Sequence, residues 1–340
     1  MTHAPVHGGD LRLAMAEAQA LGSDPGTVDD WLDLSTGINP EGYPLDPPDP
    51  AGWQHLPDPV AYAELLSAAT QYYFSPNEEA IIAAPGTAAL IAALPHLFQR
   101  RAVSIVSPTY GDHARAWRRA GCTVTPVNTL KDASPALITV LTNPNNPDGV
   151  TLNSYTLEKF LTRMGRRDGF LIVDEAFGDV SKMGSAVDFV SEHNVLVLKS
   201  FGKFFGLAGV RLGFAIGKPQ LVTALSEQLG PWSVSTPAIE AGIKALNDQG
   251  WQATTRARLE RDSGRLNRIL DAAGLLRVGW THLFTLVDCE TAQDLYDILI
   301  RNRIYVRRFD YRPTWLRLGL PGTDAGFNRL ERALAEWRKL

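Results

Sequence analysis

Several short stretches carry residue types that can bind an anion, hold a proton or attack a carbonyl, and each follows a short apolar run. Pro85-Gly86-Thr87-Ala88 leads into an apolar helical pattern, so bare amides and a hydroxyl stand at a helix N-terminus, a setting that suits phosphate. The same loop, taken alone, is also ordinary helix capping. Tyr110, in Pro108-Thr109-Tyr110-Gly111, offers an aromatic face for packing or for stacking on a ring. In Thr142–Gly149 the prolines at 144 and 147 restrain the backbone and so aim the asparagines, Asn146 among them. Asp174-Glu175 ends the apolar run Phe170–Val173, where a carboxylate is costly unless a cation pairs with it. In Ser200-Phe201-Gly202-Lys203 an amine lies among aromatic and glycine residues, where desolvation favours its neutral, nucleophilic form, and Arg211 follows.

The elements that must position these residues follow from the apolar pattern. Runs at 80–84, 102–107, 122–127, 136–141, 170–173, 195–198 and 214–216 do not alternate with polar residues, which predicts strands buried on both faces of a mainly parallel sheet. Helical segments lie between them, so the expected fold class is α/β with about seven strands. In such sheets the residues just past the strand carboxyl ends meet the ligand. Residues 1–45 read as an N-terminal arm, 46–229 as the large domain and 230–340 as a smaller α+β domain. A helix is expected from Pro59, with Tyr62, Leu65, Leu66 and Ala69 on one face. The C-terminal region is expected to hold a helix over 254–270, strands at 283–287 and 316–319, and a helix near 292–302.

Composition narrows the function classes. The chain has 340 residues, with 33 Lys and Arg against 37 Asp and Glu, for a net charge of −4. That balance leaves no footprint for a nucleic-acid backbone or an anionic membrane, so small molecules and protein are the expected partners. Cys122 and Cys289 are far apart and lack metal or redox spacing, so neither a disulfide framework nor a metal site is expected. Met1–Asp10 shows no secretory pattern, and the run Ala88–Leu97 is broken by Pro95 and shorter than the ~20 residues of a membrane span. The cytoplasm is the expected compartment.

Taken together, a phosphate loop, an aromatic plate, an aimed amide, a strand-end carboxylate and a lysine with a following arginine are the parts needed to hold pyridoxal phosphate. The motifs Asn143-Pro144-Asn145-Asn146-Pro147, Val173-Asp174-Glu175-Ala176-Phe177 and Ser200-Phe201-Gly202-Lys203, in this order, resemble the fold-type I, aspartate-aminotransferase-like superfamily of pyridoxal-phosphate enzymes. The resemblance covers most of the chain. It implies that Lys203 holds the cofactor covalently and that Asp174 pairs with its pyridinium nitrogen. It implies further that Asn146 donates to the ring hydroxyl oxygen, that Tyr110 stacks on the ring, and that Gly86, Thr87, Ala88, Ser200 and Arg211 cradle the phosphate. Arg317, in Trp315-Leu316-Arg317-Leu318-Gly319, matches the arginine that clamps the substrate carboxylate. Phe177 stands where many aminotransferases have a Tyr that bonds the ring hydroxyl. Leu56 stands where relatives often place a Tyr that reaches the neighbouring subunit's cofactor.

Within the superfamily, His7-Gly8-Gly9-Asp10 and Leu32–Pro40 with Gly42 resemble the threonine-phosphate decarboxylase branch, related to the histidinol-phosphate aminotransferases. This implies a lyase of cobalamin biosynthesis acting on a phosphorylated amino acid, with His7 and Asn39 near the substrate, and a homodimer with shared active sites. An aminotransferase is the alternative, and a non-catalytic ligand- or partner-binding module is a reading of another class. A doubly charged substrate calls for added positive charge. Arg307 and Arg308 are candidates, of which a strand turns at most one inward, with Arg307 favoured.

Overall fold

The computed structural model describes residues 8–47, 49–98, 102–134, 137–180 and 184–339; His7 and Ala136 lie outside them. In chain order, α1 (Leu11–Ala20) and β1 (Leu32–Asp33) are followed by α2 (Pro59–Tyr73), β2 (Ile81–Ala84), α3 (Thr87–Leu97), β3 (Ala102–Val106), α4 (Gly111–Arg119), β4 (Thr123–Val127), β5 (Ile138–Thr142), α5 (Ser154–Gly165), β6 (Phe170–Asp174), β7 (Val195–Ser200), α6 (Phe201–Phe204), β8 (Gly213–Ile216), α7 (Pro219–Leu229) and α8 (Thr236–Asn247). The C-terminal region adds α9 (Gln249–Ala272), β9 (Leu276–Thr281), β10 (Phe284–Asp288), α10 (Ala292–Arg301), β11 (Ile304–Tyr305), β12 (Arg307–Arg308), β13 (Trp315–Gly319) and α11 (Asp324–Trp337). The chain forms two compact units, one of Gly42–Thr254 and one of Met1–Glu41 with Thr255–Leu340.

The larger unit is built on a seven-stranded sheet in the order β2-β8-β7-β6-β5-β3-β4. Its pairs are parallel except those that β8 makes, antiparallel, with β2 and β7. Strands β2, β5, β7 and β8 are almost entirely buried, as runs of Ile, Val, Leu and Ala covered on both faces must be. The reversed direction of β8 has a consequence for chemistry. It pairs Gly213 with Ala84 at the end of β2 and with Ser200 at the end of β7, so the residues just before β8 emerge at the same sheet edge as the carboxyl ends of its neighbours. Helix α2 begins at Pro59, capped by the Asp58 side chain, and buries Leu65, Ala68, Ala69 and Tyr73.

The second unit holds an antiparallel sheet in the order β12-β13-β10-β9 and a parallel pair of β1 with β11. The Pro- and Gly-rich N-terminal region is held here by backbone hydrogen bonds. Leu32 N donates to Arg303 O, Leu34 N to Tyr305 O, and Gly319 N to Leu34 O at 2.6 Å. Strands β1, β9 and β11 were not expected from sequence: β1 and β11 have only two residues, and the exposed alternate positions of β9 (Leu276, Val278 and Trp280) are large and apolar, whereas β12 is the strand expected to carry the Arg307–Arg308 pair. Packing also groups the chain differently from composition. Residues 8–41 join the C-terminal residues, and α8 belongs with the larger unit because Gly242 lets it approach α2. A Cβ at Gly242 would stand 2.5 Å from Leu65 Cδ1.

Gly213 tests the reversed strand. A Cβ there would meet Thr87 N at 2.7 Å and Lys199 O at 3.1 Å, backbone atoms that cannot swing aside. Gly213→Ala is expected to lower stability by about 1–3 kcal/mol, read as the urea unfolding midpoint.

Candidate active site

A cleft of about 160 Å³ opens in the larger unit, lined by residues that follow the strand ends. Gly86, Thr87, Ala88, Tyr110, Asn146, Asp174, Phe177, Ser200, Lys203 and Arg211 all border it, so the ten cofactor residues expected from sequence lie around one space. The sheet order explains why. Adjacent strands β2, β8 and β7 contribute the Gly86 loop, Arg211 and Ser200; β6 contributes Asp174; β5 and β3 lead into Asn146 and Tyr110.

The end of the cleft formed by the Gly86 loop and Arg211 is tightly built. Gly86 has φ of +82° and caps α3, leaving the first amides of that helix without helical partners. A Cβ on Gly86 would come 2.7 Å from Arg211 Nη2, so only glycine lets the guanidinium approach the loop. Arg211 itself has φ of +56°, a left-handed conformation that a non-glycine residue adopts at a cost. Lys203 lies on α6, where a Cβ at Gly202 would meet Ala208 Cα at 2.8 Å. Aromatic rings anchor this short helix: Phe201 stacks on Phe205 at 4.5 Å between centroids, and Phe205 stacks on Trp251 at 5.7 Å. Lys203 Nζ stands 5.6 Å from the centroid of Phe177.

Asp174 is buried, and its partner is one the sequence reading missed. His113 Nε2 lies 2.9 Å from Asp174 Oδ2, and Ala176 N donates to Oδ1 at 3.0 Å. An ionised carboxylate only accepts, so Nε2 carries the proton in this bond. His113 is three residues beyond Tyr110 on α4, whose ring meets the imidazole edge-on at 6.1 Å. That i, i+3 spacing was the available signal, since such residues share a helix face. Burial, and then the hydrogen bond to Asp112, raise the pKa of Tyr110. Thr142, paired with Asp174 in register, also borders the cleft and was not singled out from sequence.

The three asparagines of the 142–149 turn divide the work. Asn143 Oδ1 accepts from Leu152 N at 2.8 Å, and Asn145 binds Thr109, Pro108 O and Asp148. Of the three, Asn146 borders the cleft while the other two brace the turn.

The remaining candidates belong to the other unit. Arg317 is buried in β13 and donates to Ser35 O at 2.8 Å, with its guanidinium 5.0 Å from the centroid of Phe284. Burial, reinforced by Arg307, lowers its pKa to about 10. Arg307 is the register partner of Arg317, so the two share a sheet face. Burial likewise lowers the pKa of Arg307. Arg308 turns away, pairing with Glu17 at 2.7 Å and lying over the Tyr296 ring. Asn39 is buried and accepts from Arg258 Nη2 at 3.0 Å. His7 lies outside the described residues, but the adjoining glycines dock on the Arg317 partner: Gly9 N donates to Ser35 Oγ at 2.7 Å, and a Cβ at Gly8 would strike Ser35 O.

A helix N-terminus beside an arginine, a buried carboxylate braced by histidine, and a lysine at the same cleft form a donor set that fits a phosphorylated pyridine aldehyde such as pyridoxal phosphate. Comparison with known proteins agrees in fold. The family model "Aminotransferase class I and II" matches residues 49–334. Threonine-phosphate decarboxylases from a Sinorhizobium species and from Pseudomonas aeruginosa are 42% and 40% identical, the first over 97% of both chains and the second over 98% of both. The crystal structure of histidinol-phosphate aminotransferase from Sinorhizobium meliloti in complex with pyridoxal-5'-phosphate superposes with a TM-score of 0.79 at 18% identity, covering 100% of this chain and 99% of that one. The chain belongs to the aminotransferase class I and II family.

Proposed function

We propose that this protein is a pyridoxal-phosphate-dependent decarboxylase that converts L-threonine O-3-phosphate to (R)-1-aminopropan-2-yl phosphate and CO2, a step in making the side chain of cobalamin. The observation that carries this reading is the convergence of Lys203, Asp174 and Arg211 on one cleft in a chain 42% identical, nearly end to end, to a threonine-phosphate decarboxylase. Likeness to the histidinol-phosphate aminotransferase structure is at 18% identity and supports the fold, not that activity.

When bound, the cofactor supplies an electron sink conjugated to the substrate nitrogen. Lys203 would hold it covalently, Asp174 would face the ring nitrogen, Asn146 the ring hydroxyl and Tyr110 the ring face. Arg211, Ser200 and the amides of Thr87 and Ala88 would hold its phosphate. The protein decides which bond at Cα breaks by orienting the substrate, because only the bond perpendicular to the conjugated system is weakened. Arg317 is assigned to the carboxylate and Arg307 to the second anion of the substrate. Asn39 and His7 are assigned to the substrate by resemblance. As CO2 leaves, a proton must take its place on Cα, and the amine of Lys203 is the group assigned to deliver it.

The active form is read as a cytoplasmic homodimer. Support comes from large apolar side chains exposed on the larger unit, Trp53, Leu56, Val60 and Trp232 among them. Among the described residues no helix is long and apolar enough to cross a membrane. Sedimentation of the active protein is expected to give a dimer; an active monomer would count against shared sites.

Product analysis tests the activity. Protein loaded with pyridoxal phosphate and given L-threonine O-3-phosphate is expected to release CO2 and the amine without 2-oxoglutarate; glutamate formed only with that acceptor would mean an aminotransferase. Lys203→Ala is expected to lower turnover by roughly 10²–10⁴-fold. Arg317→Met, which removes a charged hydrogen-bonding pair, is expected to cost about 1.5–3 kcal/mol, roughly 10- to 150-fold in kcat/KM.

A further inference from the structure

A second polar cluster lies behind the cleft, on the same two strands. Successive residues of a strand point to opposite faces, so Asp174 and Glu175 diverge at the end of β6, as do Ser200 and Lys199 at the end of β7. Asp174 and Ser200 border the cleft. Glu175 and Lys199 meet on the other side, Nζ to Oε2 at 2.5 Å, with side chains 3% and 6% exposed. The ladder reaches this far, since Glu175 N donates to Leu198 O at 2.9 Å.

Glu175 is fully engaged. Its Oε1 accepts from Ala186 N at 2.7 Å, and its Oε2 accepts from Ser185 Oγ at 2.6 Å as well as from Lys199. Lys199 Nζ also donates to Ser185 Oγ at 3.3 Å and stands 5.3 Å from the centroid of the Tyr73 ring. Gly178 closes the cluster: a Cβ there would come 3.2 Å from Glu175 Cβ. Burial opposes the charge on Lys199, but Glu175 and Asp179 outweigh it and hold its pKa above the ordinary value.

Burying an ion pair costs desolvation free energy that its attraction often fails to offset, so apolar residues of the same volume would serve stability as well. What a pair adds is register. The two charges meet only if β6 and β7 end level with one another, and a slip of either strand leaves a buried charge alone. We propose that the Glu175–Lys199 ion pair is a positioning device that fixes the ends of β6 and β7 from behind, holding Asp174 and Ser200 at the separation the bound cofactor requires. Neither residue is among those that line the cleft. The inference rests on reading the cleft as the cofactor site and not on the identity of the substrate.

The test is a titration of apo-protein with pyridoxal phosphate, following the dissociation constant, the visible-range circular dichroism of the bound cofactor and, separately, the urea midpoint. Glu175→Gln keeps the side-chain shape and removes the charge; Ser185→Ala keeps the pair and removes one brace. Glu175→Gln is expected to weaken cofactor binding about tenfold and to reduce the dichroism, with Ser185→Ala giving a change of about twofold to fivefold in the same direction. Unaltered binding and dichroism in the folded variants would overturn the proposal, even if their urea midpoints fell, because the pair would then be structural only. If Glu175→Gln does not fold, Ser185→Ala decides by the same criterion. Wild-type protein that takes up no pyridoxal phosphate would overturn the cofactor reading and this inference with it, whereas normal wild-type uptake beside unaltered variants overturns this inference alone.

Discussion

The architecture of the larger unit turns on one carboxylate kept inside the protein. Asp174 ends a strand of Phe, Leu, Ile and Val and is buried with it, a placement that a carboxylate tolerates only with full hydrogen bonding. His113 and the amide of Ala176 supply that bonding. The histidine must come from α4, so α4 has to pack over the strand ends, and Tyr110 at its start is placed at the cleft by the same requirement. A carboxylate oriented in this way is suited to face a ring nitrogen, which is the role proposed for it.

Around that point the strand order does the rest. The one reversed strand, β8, carries Arg211 to the edge where Gly86 and Ser200 emerge, so three segments distant in sequence border a single cleft. Glycine at 86 and 213 is required by contact rather than by flexibility alone: the Arg211 guanidinium presses on the first, and the backbone of Gly86, Thr87 and Lys199 presses on the second.

The sequence made most of this sheet legible because strands such as Ile81–Ala84 and Gly213–Ile216 are buried on both faces and read as apolar runs; the edge strand Thr123–Val127, expected to be buried likewise, is largely exposed. Among the residues that follow the strands, Lys203 is by itself open to an ordinary surface reading and the asparagine segment to that of a tight turn; the whole set of strand-end groups, and for Asn146 the family resemblance, singled them out. Other features left weaker traces. Two-residue strands such as β1 and β11 are shorter than any periodicity, and their pairing is a long-range event between residues like Leu32 and Ile304. His113 went unnoticed because its one local signal, the i, i+3 spacing from Tyr110, names no tertiary partner. Glu175 was read only as part of an acidic pair; its meeting with Lys199 depends on which faces the two strands turn inward. The opposite fates of Arg307 and Arg308 follow the strand alternation that sequence reasoning invoked, but Glu17 of α1, the partner that claims Arg308, could not be foreseen.

The central claim is that Asp174, braced by His113, keeps the ring nitrogen of the bound cofactor protonated and so sustains its capacity as an electron sink. The most direct measurement is the ¹⁵N chemical shift of pyridoxal phosphate labelled at the ring nitrogen and bound to the wild-type protein, followed from pH 6 to 9. The account predicts the shift of a protonated pyridinium, hydrogen-bonded to a carboxylate, throughout that range. A shift characteristic of a neutral pyridine nitrogen at neutral pH would contradict it.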